Sequence, residues 1–253
     1  MDQSHRPVVI TGNWKMHKNL EEANSFIEAI KPVVEKSPSQ IWLAVPFTLL
    51  YPLTRDHPGS ALKIGAQNMN DASQGAFTGE IAGKMLLDAG AYFVLLGHSE
   101  RRRIFHEDCA FINRKVKKAL EVGLRPVLCI GETIEEYEAK QTHAVIRKQI
   151  KQCLLDLTPE ELAPLVIAYE PVWAIGSDHS ATPEIAQEVH HFCRTVLGEE
   201  FSPELAEKVV IQYGGSVNPS NAKELLNEPD IDGLLIGGAS LSLETFSQIV
   251  EDK

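Results

Sequence analysis

Short runs of apolar, β-branched residues recur along the chain, separated by stretches in which apolar positions return every three or four residues. The runs predict strands at Val8–Thr11, Ile41–Val45, Leu62–Ala66, Tyr92–Leu96, Pro126–Ile130, Leu165–Tyr169, Val209–Tyr213 and Gly233–Ile236. Most are nearly continuous in apolar character rather than alternating, as expected of strands buried on both faces. The intervening helices have legible starts. Asn19 and Glu22 read as a reciprocal cap ahead of Leu20, Ala23, Phe26, Ile27 and Ile30, which share one face. Thr133 with Glu136 repeats that signal before what reads as another long helix. Thr182-Pro183 and Asn218-Pro219 each set a cap before a proline at the first helical position. A last helix runs through Leu243, Phe246, Ile249 and Val250.

Eight strands alternating with helices over 253 residues predict an α/β fold, a (β/α)8 barrel forming one domain over residues 1–253. An open doubly wound sheet is the rival. It would usually carry a glycine-rich fingerprint after the first strand, where this chain reads Gly12-Asn13-Trp14-Lys15.

Composition narrows the function. A net charge of −11 argues against a general nucleic-acid or membrane-surface binder. It leaves room for an anionic ligand, since backbone N–H groups and one lysine can make a positive pocket in an acidic protein. Cys109, Cys129, Cys153 and Cys193 fall in no metal-ligand spacing and read as reduced thiols. The N-terminal residues lack the apolar core of a signal peptide, and no uncharged run approaches membrane-spanning length. A cytoplasmic protein is the expectation.

In a barrel of this type functional side chains sit just past the C-terminal ends of the strands. Those positions hold Asn13 and Lys15, Gln67 and Asn68, His98 and Glu100, Cys129 and Glu132, Glu170, Gly214-Gly215-Ser216 and Gly237-Gly238. The two glycine turns follow the seventh and eighth strands, where backbone N–H groups can approach a phosphate; either pair alone would be read as a tight turn. Eight of the nine histidines read as surface or packing residues. His98 differs, because Ser99 can cap a helix starting directly behind it, and a helix N-terminus favours a neutral ring able to donate to a carbonyl. Most glutamates of the chain belong in solvated loops. Glu170 is set apart by Pro171, which stiffens one side, and by the apolar Val172-Trp173-Ala174-Ile175. That segment reads as a lid, and a lid that expels water raises the basicity of a carboxylate beneath it. Lys15 fits either a Schiff-base nucleophile or a fixed positive charge. Cys129 reads as a packing thiol.

Six segments in order resemble the triosephosphate isomerase family over nearly the whole chain. They are Gly12–Met16, Leu96–Arg102, Cys129–Glu132, Ala168–Gly176, Tyr213–Ser216 and Ile236–Ser240. The resemblance implies a TIM barrel that interconverts dihydroxyacetone phosphate and D-glyceraldehyde 3-phosphate without a cofactor or metal. It implies that Glu170 shuttles the proton, that His98 polarises the carbonyl, and that Lys15, held by Glu100 and joined by Asn13, opposes the developing negative charge. Gly176, Ser216, Gly237 and Gly238 would take the phosphate. Pro171, Val172, Trp173, Ala174, Ile175, Gly176, Ser177, Asp178, His179, Ser180 and Ala181 would form the lid, with Glu132, Tyr169 and Tyr213 as its partners. Gly75, Ala76, Phe77, Thr78, Gly79 and Glu80 resemble the family's interdigitating loop, in which Thr78 would reach a second subunit's site near its Asn13; this implies a homodimer. One departure is in the lid tip, where the family commonly has Thr-Gly-Lys-Thr-Ala and this chain has Ser177-Asp178-His179-Ser180-Ala181. It bears on opening and closing rates, and Asp178 is expected to point outward.

Two other readings compete. An aldolase-like barrel would use Lys15 as a covalent amine but has no use for the lid segment. A binding or scaffold barrel would not need candidates at every catalytic position. Metal catalysis lacks a ligand set, because the rim histidines and acids are not spaced as one.

Overall fold

β1 (Val9–Asn13) pairs in parallel with β2 (Gln40–Val45) on one side and with β8 (Gly233–Ile236) on the other. Between them β3 (Lys63–Ala66), β4 (Phe93–Leu96), β5 (Arg125–Ile130), β6 (Val166–Tyr169) and β7 (Val210–Tyr213) each pair in parallel with the next. The sheet closes on itself in sequence order, so this is the (β/α)8 barrel. The computed structural model describes residues 6–175 and 181–251.

The nearly continuous apolar character of the strands now has its cause. Trp42, Ala44, Phe93, Leu95, Val127, Cys129, Val166, Ala168 and Leu235 fill the barrel interior. Their neighbours Ile41, Leu43, Val45, Val94, Leu96, Leu128, Ile130 and Ile167 face the helices in a second, larger core. Most of the strands are therefore apolar on both faces, with Lys63 and Gly65 of β3 at inward positions. Polar atoms inside the barrel are matched: Gln212 Nε2 donates to Val9 O at 3.0 Å and to Thr11 Oγ1 at 2.8 Å. Gly65 makes room for a ring, since a Cβ there would lie 2.3 Å from Phe93 Cδ1.

The helices stack outside. α1 (Leu20–Lys36) begins with the Asn19–Glu22 capping box and buries Ala23, Phe26, Ile27 and Ile30. Next come α2 (Phe47–Asp56), α3 (Gly83–Asp88), α4 (Ser99–Arg103) and α5 (Cys109–Val122). The box at Thr133 and Glu136 is present, but the helix it opens is short. α6 (Ile134–Glu138) stops before Lys140, which takes a left-handed φ of 57°, and α7 (Thr142–Cys153) starts afresh. The single long helix expected there is two. α8 (Pro183–Glu200), α9 (Pro203–Lys208), α10 (Pro219–Leu226) and α11 (Leu243–Glu251) complete the outer layer, with the caps at Thr182 and Asn218 in place.

Candidate active site

The strand-end positions after β1, β4, β6, β7 and β8 converge on one cavity of about 220 Å³. It is lined by Asn13, Lys15, His98 and Glu170, by the glycine turns Gly214-Gly215-Ser216 and Gly237-Gly238, and by Ile175, Val217, Leu235 and Ala239.

Glu170 follows β6 directly. Its backbone N–H donates to Ile130 O at 2.7 Å, which fixes it to the end of β5, and its side chain is only 3% exposed. Oε1 lies 2.9 Å from His98 Nε2, and Oε2 accepts from the backbone N–H of Ser99 at 3.1 Å. The glycine at 214 is needed here, because a Cβ on it would come within 2.8 Å of Glu170 Cγ.

His98 corrects one expectation. Ser99 does not cap the helix; it is the first residue of α4, and His98 is itself the cap, its Nδ1 accepting from the Glu100 N–H at 3.3 Å. That contact assigns the proton to Nε2, which faces Glu170. Burial lowers the ring's proton affinity, but the charge and hydrogen bond of Glu170, joined by Glu100, outweigh burial and Lys15. The net direction is upward, against the expectation of a ring made neutral by the helix terminus alone. The upward pull depends on the carboxylate staying at 2.9 Å. Without that carboxylate, burial, Lys15 and the helix N-terminus favour the neutral form, and only Glu100 opposes them.

Lys15 turns back from β1 with a left-handed φ of 50°. Asn13 Oδ1 accepts from its backbone N–H at 3.0 Å, and Gln67 Nε2 donates to its carbonyl at 2.8 Å. The Nζ then meets Glu100 Oε1 at 2.8 Å. Burial raises the carboxyl pKa of Glu100, but hydrogen bonding to Lys15 and the His98 charge bring the net result below the usual carboxylate value. An ion-paired lysine suits a fixed charge, whereas a Schiff-base nucleophile needs a free amine.

The lid segment begins at Pro171 and forms a single 3-10 turn over Val172–Ala174. Trp173 Nε1 donates to Glu132 Oε1 at 2.8 Å, and the Tyr169 hydroxyl donates to the same oxygen at 3.1 Å. Burial pushes the Glu132 carboxyl pKa up despite these donors. Trp173 also stacks on Tyr137, with ring centroids 4.3 Å apart. Tyr213 is buried at the end of β7, its hydroxyl below Gly215 and its pKa raised by burial to about 12. Gly176, Ser177, Asp178, His179 and Ser180 lie outside the described residues, and Ala181 beyond them is buried. Residues 75–80 form an exposed turn braced by Asn70 Nδ2 donating to Glu80 Oε2 at 2.8 Å.

Two rim positions acquire roles that residue type alone did not give them: Gln67 holds the Lys15 turn, and the Ser99 N–H holds Glu170. A third leaves the rim. Asn68 Oδ1 accepts from buried Lys115, which also pairs with Glu107 at 2.7 Å. Cys129 points into the barrel interior as a packing thiol.

The family model described as triosephosphate isomerase matches residues 8–253. The chain belongs to the triosephosphate isomerase family. A triosephosphate isomerase of Protochlamydia amoebophila is 68% identical over 252 residues, covering 100% of this chain and 96% of its own. Those of Fusobacterium nucleatum and Carboxydothermus hydrogenoformans are 48% and 49% identical, each covering 97% of this chain and 98% of their own. The triosephosphate isomerase reaction is therefore the activity of this chain: dihydroxyacetone phosphate and D-glyceraldehyde 3-phosphate interconvert by proton transfer through an enediol(ate), in glycolysis and gluconeogenesis.

Proposed function

We propose that Glu170 is the base of this isomerisation, within a single catalytic barrel. It removes a proton from C1 of dihydroxyacetone phosphate while the C1–H electron pair forms the C1–C2 double bond and the C2 carbonyl becomes an enediolate oxygen. His98 donates from Nε2 to that oxygen. Lys15, braced by Glu100, and Asn13 stabilise the charge that develops there. His98 gives its Nε2 proton to the C2 oxygen and takes the proton of the C1 hydroxyl in exchange. As the C1 oxygen re-forms a carbonyl, the proton on Glu170 returns to C2, leaving the aldehyde at C1 and a hydroxyl at C2. The phosphate rests against backbone N–H groups of Gly176, Ser216, Gly237 and Gly238. The lid, Pro171–Ala181, closes over the reacting carbons with Glu132, Tyr169 and Tyr213 as its partners, and the Ser177–Ser180 tip sets its own closing rate. The observation that carries this reading is the approach of Glu170 Oε1 to His98 Nε2, 2.9 Å, on the wall of a cavity that two glycine turns also line.

Glu170→Asp is the test. One methylene withdraws the carboxylate from proton-transfer geometry, so kcat should fall by roughly two to three orders of magnitude with the fold intact. A coupled assay showing near-normal turnover would remove Glu170 from this role.

A cytoplasmic homodimer completes the proposal. Met16 is 93% exposed, and Phe47 and Phe105 are also exposed; the three line a groove of about 230 Å³ that also contains Asn13 and Lys15. Apolar side chains around a polar groove suit the tip of a second copy's 75–80 loop, with Thr78 entering beside Asn13. Sedimentation equilibrium at the mass of one chain would overturn it. No helix among the described residues is long and apolar enough to cross a membrane.

A further inference from the structure

Directly behind the His98 turn, one guanidinium touches two thiols. Arg102 Nη1 is 3.5 Å from Cys109 Sγ, and Nη2 is 3.6 Å from Cys153 Sγ. The two sulfurs therefore lie on neighbouring nitrogens of one guanidinium. Cys109 is the first residue of α5 and Cys153 the last of α7, so the contact joins the end of one helix to the start of another. Cys109 is half-buried and Cys153 fully buried. The isomerisation uses neither.

The same guanidinium holds the catalytic rim together. Arg102 Nε donates to Gly97 O at 2.7 Å, immediately before His98, and Nη2 donates to Cys129 O at 2.9 Å near the end of β5. Arg102 further lines a cavity of about 240 Å³ on the outer side of Glu170, together with Gly97, Ser99, Gln149 and Val172. The thiol pair therefore lies one side chain away from the Gly97 carbonyl that precedes His98 and from a cavity that Glu170 also lines.

We propose that Cys109 and Cys153 form a peroxide-oxidisable dithiol whose disulfide slackens the Arg102 clamp behind His98. Cys109 is the attacking thiolate. Its pKa is drawn down to about 6 by the hydrogen bond from Cys153, against desolvation, with Arg102 and Lys148 adding to the pull. The start of α5 acts in the same direction. Cys153 is pushed upward by that same hydrogen bond and by burial, so it keeps its proton and resolves the intermediate.

The chemistry balances with a hydroperoxide as oxidant. The Cys109 thiolate attacks one oxygen of hydrogen peroxide, the O–O bond breaks, hydroxide leaves, and Cys109 becomes a sulfenic acid. The Cys153 sulfur then attacks the Cys109 sulfur. The S–S bond forms, the S–O bond breaks, and the departing hydroxyl takes the Cys153 proton as water. Two electrons pass from the thiols to the peroxide oxygens. The two sulfurs must leave the guanidinium and close to a bond of about 2.05 Å. Both side chains then turn toward each other, and Arg102 loses the negative charge against which it was set.

The test exposes the reduced, full-length enzyme to excess hydrogen peroxide, then combines alkylation and peptide mass mapping with steady-state kinetics. The expected result is loss of two of the four free thiols, a peptide bridging 109 and 153, and a several-fold fall in kcat that dithiothreitol reverses. Cys109→Ser, with Cys109→Ala beside it in case serine is poorly accepted, should keep its kcat through the same exposure. Four thiols still free, or a bridge through Cys129 or Cys193, would overturn the site. A bridged enzyme with unchanged kcat, or an equal loss of kcat in the Cys109 variants, would overturn the link through Arg102.

Discussion

Gln67 holds Lys15 by its main chain: the amide nitrogen donates to the Lys15 carbonyl at 2.8 Å and to the Ala44 carbonyl at 3.1 Å. Lys15 needs this support because its φ of 50° lies in the left-handed region, which costs a residue with a Cβ about 1–2 kcal/mol. With Asn13 accepting from the Lys15 N–H, the peptide groups on both sides of the Lys15 Cα are held, and the Nζ meets Glu100. Gln67→Leu keeps the volume and removes both donors. An unpaired carbonyl costs roughly 1–3 kcal/mol, and Lys15 would drift from its position. The expected outcome is a fall in kcat/KM of about tenfold, read by steady-state kinetics. A wild-type value would show that Lys15 holds its turn unaided.

Glu132 serves Trp173 and Tyr169 through one oxygen, and both donors share Oε1. Glu132→Gln retains an acceptor at that place, so lid behaviour should stay near wild type. Glu132→Leu leaves two donors facing an apolar group, a loss of roughly 1–3 kcal/mol for the anchored lid position. The tryptophan emission of the leucine variant should shift to the red as Trp173 leaves its site, since Trp14 and Trp42 are fully buried and stay dark to the change. Emission that is identical in the two variants would separate Glu132 from the lid.

The barrel was legible because most of the eight strands are nearly continuous apolar runs that alternate with helical patterns from end to end. Its edges were less so. β1 was expected to stop at Thr11, but Gly12 and Asn13 continue it by pairing with Leu43 and Ala44, and neither residue type advertises a strand. The break between α6 and α7 falls at Ala139-Lys140-Gln141, with no glycine or proline to mark the left-handed lysine. The rim residues were legible as strand-end positions because closure brings all strand ends to one face. What Gln67, Ser99 and Arg102 do there was not, because each acts through a contact that involves a backbone atom or a thiol and that only the folded chain brings near. The Ser99 error has the same origin: an imidazole can accept from the N–H two residues on, and His98 took the cap that serine usually takes.

Arg194 is the largest electrostatic commitment away from the site. Nε donates to Asp230 Oδ1 at 2.8 Å, Nη2 to Asp232 Oδ2 at 2.7 Å, and Nη1 to the carbonyls of Ala206 and Val209. Burial raises the Asp230 carboxyl pKa, and hydrogen bonds from Gln187 and Arg194 reverse it to a net lowering. Arg194→Met should cost about 3–5 kcal/mol, since two carboxylates lose a buried partner. Arg6, 2.6 Å from Asp232 Oδ1, holds the figure toward the lower end. Urea unfolding measures the loss, and kcat per folded molecule should not change. A stability equal to wild type would mean that Arg6 alone suffices.

His190 predicts a pH dependence of its own. The ring is fully buried, its Nδ1 lies 3.2 Å from the Asp230 carbonyl, and Tyr169 packs edge-on against it at 5.8 Å. Desolvation lowers its pKa to about 3, the Asp230 carbonyl opposing and Arg194 adding to the fall. The folded value therefore lies below the unfolded value of about 6.5. Between them the unfolded chain binds a proton that the folded chain refuses. Stability from this group is full above about pH 6.5 and is lost as pH falls toward about 3, with a limiting slope of roughly 1.4 kcal/mol per pH unit. Integrated from pH 7 to pH 5, the loss is about 2 kcal/mol. His190→Gln has no such proton to refuse. Its unfolding free energy, measured by urea titration at the two pH values, should fall by about 2 kcal/mol less than that of the wild type. Equal losses in the two proteins would show that the folded chain protonates His190 as readily as the unfolded one does.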